Sequence, residues 1–306
     1  MTSIPAEKVA TDPSSVRPVR AWRNSDAAKG LTLISPPVLF AIALLAIPII
    51  STITYSFWTQ NYLDIDKTIT FSNYYKAWTE PIYRLLMTRS VVVSALVTVI
   101  TVLLAYPMAY FVAFHVRERQ ALWLFLITIP FWTSYLLRVF TWKVILGFNG
   151  VLNSGLIWLG LIEEPLDFLL YNATAVIITL AHAWAAFAIL PIYVSLRKID
   201  RSLLEAATDL GDGPLRRFWR ITLPLSMPGI IGAALIIFIP TVSDYVTPAL
   251  VGGPDGLMIA NMIQVQFGKA NNWPLGSALA VSAMLIVTIL SLTFVMGARR
   301  FARSAR

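Results

Sequence analysis

The sequence has no cysteine and only two histidines. Disulfides, thiolate metal sites and cysteine nucleophiles are therefore excluded, and a His-cluster zinc centre lacks its ligands. Charge is scarce as well. Charged residues make up 13% of the 306, about half of the roughly 25% usual in a soluble domain. No Walker A pattern occurs, so the chain offers no P-loop for ATP phosphates; Gly-x-Ser-x-Gly and His-Glu-x-x-His are missing too. No internal repeat or low-complexity tract is visible. What abounds is apolar: 57% of residues are hydrophobic and the mean hydropathy is +0.70. A soluble enzyme, a disordered protein and a coiled coil are excluded, leaving an all-α polytopic membrane protein.

A helix needs ~20 apolar residues to cross a bilayer core, and six windows reach that length. They run from Leu31 to Phe57, Ser90 to Phe114, Ala121 to Phe140, Ala173 to Leu196, Pro228 to Leu250 and Leu275 to Gly297. The stretch up to Gly30 is polar and proline-bearing. It lacks an apolar core before a small-residue cleavage site, so it reads as a disordered tail and not as a signal peptide. The expected organisation is a tail over 1–30, a six-span body over 31–298 and a short tail over 299–306.

Six spans put both termini on one side. That side collects seventeen of the 24 Lys and Arg, among them Lys29, Arg119, Arg197, Lys198, Arg201, Arg216, Arg217, Arg220, Arg299 and Arg300. The other side is left with Lys67, Lys76, Arg84, Arg89, Arg138, Lys143 and Lys269. Cytoplasmic loops are enriched in Lys and Arg, so both termini are expected in the cytoplasm. The net charge of +8 is thus a topology signal and not a nucleic-acid footprint. Tyr55, Trp58, Tyr62, Tyr74, Tyr75 and Trp78 cluster at the outer ends, as interfacial aromatics do. The outer segments 58–89 and 141–171 have room for short helices on the membrane surface.

The cytoplasmic loop 197–224 is patterned. Asp200 or Ser202 can cap a helix, and Ser202 with Glu205 fits a capping box. Leu203, Leu204, Ala206, Ala207 and Leu210 recur at helical spacing, and Gly211 is placed to end the helix. Asp212 can cap a second helix, with Pro214 in its first turn, that runs to Ile221 and stops at Pro224. A small, apolar face opposite Arg216, Arg217 and Arg220 suits insertion into a groove of a partner; a positive-inside loop with incidental helicity is the plainer alternative.

Glu205-Ala206-Ala207, three residues, Gly211, nine residues, Ile221, one residue and Leu223-Pro224 match the EAA signature of permease subunits of bacterial ABC importers. The chain resembles that family in its six-span, type I importer-like architecture too. The resemblance implies that the loop forms coupling helices seated in a cleft of an ATPase subunit. Glu205 would make polar contacts there, Ala206 and Ala207 would allow close packing, and Gly211 would form the turn. It further implies a second permease subunit, a periplasmic solute-binding protein, and ATP with magnesium held on the ATPase, with no cofactor or catalysis on this chain. Pro130-Phe131-Trp132-Thr133-Ser134, Leu137-Arg138, Trp142, Leu190-Pro191, Gly252-Gly253-Pro254-Asp255 and Asn272-Trp273-Pro274 resemble spermidine/putrescine permeases. Polyamines or related cationic amines are the implied cargo, with opines, thiamine and phosphonates as open alternatives. An ion-coupled secondary transporter is the rival class; it needs membrane-embedded carboxylates, and the predicted spans hold one.

That carboxylate is Asp244, about 24 Å along span five from Pro228 at 1.5 Å per residue. An intramembrane carboxylate is costly and points to a functional site: it can pair with a passing ammonium group or, structurally, with Arg138 or Lys143. Tyr245, Trp132 and Tyr135 offer cation–π faces worth ~0.5–2 kcal/mol each, or serve in packing. Pro240, Thr241, Ser243 and Thr247 interrupt span five, making it the expected pore-lining element. His182 and Trp184 read as packing residues, and Gly252–Gly256 as a flexible outer turn.

Overall fold

The computed structural model describes residues 26–304 apart from 63, 117 and 170. The expected disordered tail lies outside the described residues up to position 25. Its last residues do not belong to a tail, because helix α1 (Asp26–Ser56) already includes them. Residues up to Ser51 form one unit and those from Thr52 another. Over residues 31–51 the α1 side chains are mostly exposed, Leu33 and Leu45 among them, as befits a helix solvated by lipid tails, whereas Ser56 at its end is buried. Six helical stretches are long and apolar enough to cross a bilayer, the described segments beginning at Lys29, Pro81, Tyr135, Ala173, Pro214 and Trp273.

The first outer segment is a hairpin followed by a helix. Strands β1 (Thr59–Asn61) and β2 (Asp64–Asp66) pair antiparallel with Gln60 opposite Ile65. Helix α2 (Ser72–Thr79) is tied to the chain just before the hairpin by the Asn73 amide, which donates to the carbonyls of Ser56 (3.2 Å) and Trp58 (2.7 Å). Span two, α3 (Pro81–Phe114), starts nine residues before the expected Ser90, with Pro81 in its first turn, where a missing N–H costs nothing.

Span three departs most from expectation. Instead of one helix over 121–140 it comprises α4 (Gln120–Thr128), a 3-10 turn (Ile129–Trp132), an extended step at Thr133 and α5 (Tyr135–Leu146). Length and hydropathy alone would join α5 to α6 (Val151–Trp158) across Gly147–Gly150 and leave 120–132 as a short separate helix. Contacts with span four, α7 (Ala173–Arg197), decide otherwise. Gln120 accepts from the Tyr193 hydroxyl (3.0 Å), Phe131 stacks on His182 (5.9 Å), Arg138 donates to the Ala183 carbonyl (3.2 Å), and Lys143 lies 5.9 Å over the Tyr171 ring. The partners thus run from Tyr193 near the end of α7, through His182 and Ala183 in its middle, to Tyr171 just before its start, as span three ascends. Residues 120–146 make one antiparallel crossing with a break in the middle.

The loop between spans four and five contains α8 (Arg201–Asp209) and α9 (Pro214–Arg217). The second arm does not stop at Pro224. It passes through a π-helical segment (Phe218–Thr222) straight into span five, α10 (Leu223–Val242). The wider turn lets the Leu223 N–H reach the Phe218 carbonyl, and Pro224 sits in the first turn of α10, where no donor is required. Span five ends at Val242, eight residues before the expected Leu250. A second π turn (Pro248–Gly252) and a short turn (Gly253–Gly256) follow, then α11 (Ile259–Gly268). The glycine segment is held and not free. The Arg89 guanidinium donates to the carbonyls of Pro254 (3.0 Å) and Leu257 (3.4 Å). Gly253 (φ +55°) lies so near Tyr171 that a Cβ would sit 2.5 Å from its carbonyl oxygen. Span six, α12 (Trp273–Ser304), carries Arg299 and Arg300 on its last turns, so residues from 299 are not a separate tail as far as the described chain goes.

The core lies between α3, α7 and α10, around Val97, Leu180, Ile189, Ile192, Leu196 and Ile237. Small residues let these helices approach, with Ala105, Ala109 and Ala113 buried at every fourth position of α3. Membrane helices associate through such close packing because lipid supplies no hydrophobic drive between them. Spans four and five approach closely at Gly229, whose N–H donates to Ser195 Oγ (3.2 Å); a Cβ there would stand 2.5 Å from both the Pro191 carbonyl oxygen and Ser195 Cβ. Gly229→Ala should cost about 1–3 kcal/mol by forcing spans four and five apart, seen as a lower unfolding midpoint in detergent. Gly232→Ala, whose Cβ would meet only Pro191 Cβ at 3.9 Å, should leave the midpoint unchanged.

Candidate functional site

Two regions carry the residues singled out in the sequence. In the first, Asp200 caps α8 by accepting from the Ser202 N–H (3.0 Å). The Ser202–Glu205 capping box therefore does not form. The same hydrogen bond holds the Asp200 carboxyl below the usual carboxylate range. A depressed carboxyl stabilises the folded form above its unfolded pKa, and that contribution is lost as pH falls through the lower folded value. At the other end, Gly211 (φ +85°) donates to the Thr208 carbonyl and Asp212 to the Ala207 carbonyl, both at 2.9 Å. This is a Schellman ending, which needs a left-handed residue at the glycine position. Asp212 does not cap α9; Gly213 holds that position without a side-chain bond. Its carboxylate turns instead to Arg216 and Arg220.

Ala207 is buried and Leu204 packs partly on the core, whereas Glu205, Ala206 and Gly211 are exposed. Leu203, Ala206, Leu210, Trp219 and Ile221 border an open concavity of about 500 Å³. Leu210 is 87% and Trp219 60% exposed, more apolar surface than a solvated loop would show. Leu223 is half-buried and Pro224 buried at the start of span five.

The second region surrounds the break in span three. In lipid, main-chain groups freed by a helix break must find partners within the protein. Here Arg138 supplies them. Its Nη2 donates to the carbonyls of Phe131 and Thr133 (both 3.1 Å), its Nη1 to Ala183, and its guanidinium lies 4.8 Å over the Phe131 ring. The sequence assigned Arg138 to the outer surface as a topology charge. It is instead half-buried at the level of Ala183, inside the crossing.

The break also aims Tyr135. Its hydroxyl donates to Asp244 Oδ2 (2.6 Å) and lies 2.6 Å from Thr247 Oγ1. Asp244 does not sit inside span five, which ends two residues earlier. It stands in the bend beyond, where Oδ1 accepts from the N–H groups of Val246 (2.9 Å) and Thr247 (3.4 Å) and so caps the following turn. None of the four ion pairs among the described residues involves it, so the structural alternative, pairing with Arg138 or Lys143, is absent there. The predicted aromatic group is not one cluster. Tyr245 is exposed on a separate apolar groove with Ile239, Ala260, Ile263, Met284 and Thr288. Trp132 is 72% exposed, with its ring edge-on to Phe125 at 5.4 Å. His182 is a packing and hydrogen-bonding residue, its Nδ1 accepting from the Trp142 N–H (3.0 Å), and Trp184 packs against Phe187. The sequence had Thr247 only as a polar interruption of span five and Arg138 only as a topology charge or an alternative ion-pair partner of Asp244; their hydrogen bonds to Tyr135 and to the carbonyls of the break were not foreseen. The Pro130 breaker eight residues before an arginine inside an apolar window was the available signal.

Arg138→Gln should lower the unfolding midpoint in detergent, since the part-buried Phe131 and Ala183 carbonyls would lose their partner, at about 1–3 kcal/mol each. Arg138→Lys should recover only part of the loss, because one ammonium cannot span the three carbonyls that the guanidinium fork reaches.

This arrangement can be set against known proteins. Residues 68–302 match the family described as "Binding-protein-dependent transport system inner membrane component". The chain is 34% identical over 264 residues to the spermidine/putrescine transport system permease protein PotB of Escherichia coli (strain K12), covering 86% of this chain and 94% of that one. It is 38% identical over 223 residues to the protein of the same name from Haemophilus influenzae, covering 72% and 77%. Its fold is similar to a chain of a bacterial alginate ABC transporter solved in complex with an alginate pentasaccharide-bound periplasmic protein, with a TM-score of 0.72, 16% identity, and 92% of this chain and 98% of that one covered. The family match over most of the chain, the multi-pass apolar architecture and the importer-permease fold agree: the chain belongs to the inner membrane components of binding-protein-dependent transport systems.

Proposed function

We propose that this permease subunit carries polyamines, spermidine or putrescine, into the cell as half of the pore of an ATP-driven importer. The relatives named for spermidine and putrescine support the cargo class. The observation in the molecule that carries it is Asp244: a half-buried carboxylate fixed by Tyr135 and two amides, with no cation paired to it among the described residues. An ammonium group is the natural complement of such a site. Tyr135 completes it, while Trp132 and Tyr245 are exposed aromatic faces that a cation can meet on approach or release.

In this reading both termini and the loop 197–224 face the cytoplasm, where the charge bias puts them. The exposed Glu205, Ala206 and Leu210 dock into an ATPase subunit, with Ala207, Ile221, Leu223 and Pro224 joining the loop to span five. ATP and magnesium are held on that ATPase, and this chain has no catalytic role. A second permease chain, different from this one, completes the pore, and a periplasmic binding protein delivers the cargo. Gly211 keeps the loop's turn at a φ that proline cannot adopt.

Two tests separate these roles. Asp244→Asn keeps the capping acceptor but loses the charge. Spermidine uptake by the reconstituted importer should fall about tenfold or more, the worth of one charge-assisted hydrogen bond, with the unfolding midpoint unchanged. Undiminished uptake would remove Asp244 from the pathway. Glu205→Ala and Gly211→Pro should both lower transport and solute-stimulated ATP hydrolysis while the protein still inserts; retained stimulation in both variants would contradict the docking role.

A further inference from the structure

The loop has two arms, α8 and α9, joined at Gly211-Asp212-Gly213. A Cβ at either glycine would meet nothing within 4 Å, so the joint has no steric stop. The bonds that cross it come mainly from side chains. Asp212 is only 12% exposed, and its two oxygens accept from Arg220 Nη1 at 3.2 and 3.3 Å, with Arg216 at 3.7 Å. Arg217 adds a bond to Thr208 Oγ1 (2.8 Å). Without this carboxylate, three arginines within five residues would repel one another beside the joint.

The arginine that Asp212 holds is part of the π-helical segment. Phe218, at the start of that segment, lies edge-on to Tyr106 (5.7 Å) and Tyr110 (6.5 Å) of span two. The Tyr106 hydroxyl in turn is 2.9 Å from Ser226 Oγ of span five. A contiguous set of contacts therefore leads from the Gly211 turn into spans two and five, and Asp212 is the anionic link at its entrance. π turns inside helices commonly mark functional sites.

We propose that Asp212 is a positioning residue: by holding Arg220 it locks the turn of the loop to the π segment, so that displacement of the loop is delivered into span five and not absorbed at Gly213. The proposal rests on the reading that the loop docks an ATPase.

The absence of native cysteine allows a test that needs no knowledge of the cargo. Ser243→Cys places one thiol at the exposed far end of span five. Its labelling by an impermeant maleimide is followed in the assembled complex, with and without ATP and vanadate. The labelling rate should change at least about fivefold on vanadate trapping, the low end of coupling between distant sites. Asp212→Asn should abolish that change while the ATPase still co-purifies, and the exchange Asp212→Arg with Arg220→Asp should restore it. An undiminished change in Asp212→Asn, or no recovery in the exchanged pair, would overturn the proposal. Glu205→Ala and Leu210→Arg serve as separate arms. If the ATPase stays bound and the change persists in both, it is the docking reading that has failed.

Discussion

The fan of hydrogen bonds from Arg138 to the carbonyls of Phe131, Thr133 and Ala183 is the interaction on which the broken third span depends. A broken helix inside a bilayer is tolerated only if the freed carbonyls are answered within the protein. One guanidinium answers two of them and fastens the break to span four. Tyr135 is the first residue after the break, so its direction toward Asp244 is a consequence of that fastening. The charges of Arg138 and Asp244 do not touch. Tyr135 stands next to both, with its hydroxyl on the carboxylate.

The same constraint recurs after span five. The chain stays at the end of the bundle from Ser243 to Met258 without a long helix, and side chains again hold its main chain: Asp244 caps the first turn, Arg89 takes the Pro254 and Leu257 carbonyls, and Ser90 accepts from the Ile259 N–H (2.7 Å). Irregular backbone and polar residues therefore concentrate around one place, where spans three and five both depart from regular helix. At the other end of span five the departure is a π segment, gripped by the loop through Asp212 and by span two through Phe218. Span five is thus held by side-chain contacts at both of its irregular ends.

Much of this was legible in the sequence, for identifiable reasons. The six apolar stretches, the helix-turn-helix character of 200–217 and the Gly211 ending follow from periodicity and from a glycine that a left-handed turn requires. Boundaries failed where a local rule met a tertiary one. Pro224 looked like a helix stop, but the π turn ahead of it removes the need for its N–H. Ser202 looked like a cap, but Asp200 starts the helix two residues earlier by accepting from the Ser202 N–H, which leaves Ser202 inside the first turn. Arg138 counted as a surface charge because its carbonyl partners at 131, 133 and 183 come together only when span three bends against span four. Asp244 was recognised as unusual, but its hydrogen-bonding partners depend on a bend that composition does not reveal.

The central claim is that this chain forms part of a polyamine pore driven by ATP. The direct measurement is uptake of labelled spermidine into liposomes containing this permease with its second permease, ATPase and binding protein, comparing ATP inside the vesicles with an imposed ion gradient and no ATP. Uptake that requires ATP and the binding protein, and does not respond to the gradient, is the predicted result. Uptake sustained by the gradient alone, or ATP-driven transport that ignores spermidine and putrescine, would contradict it.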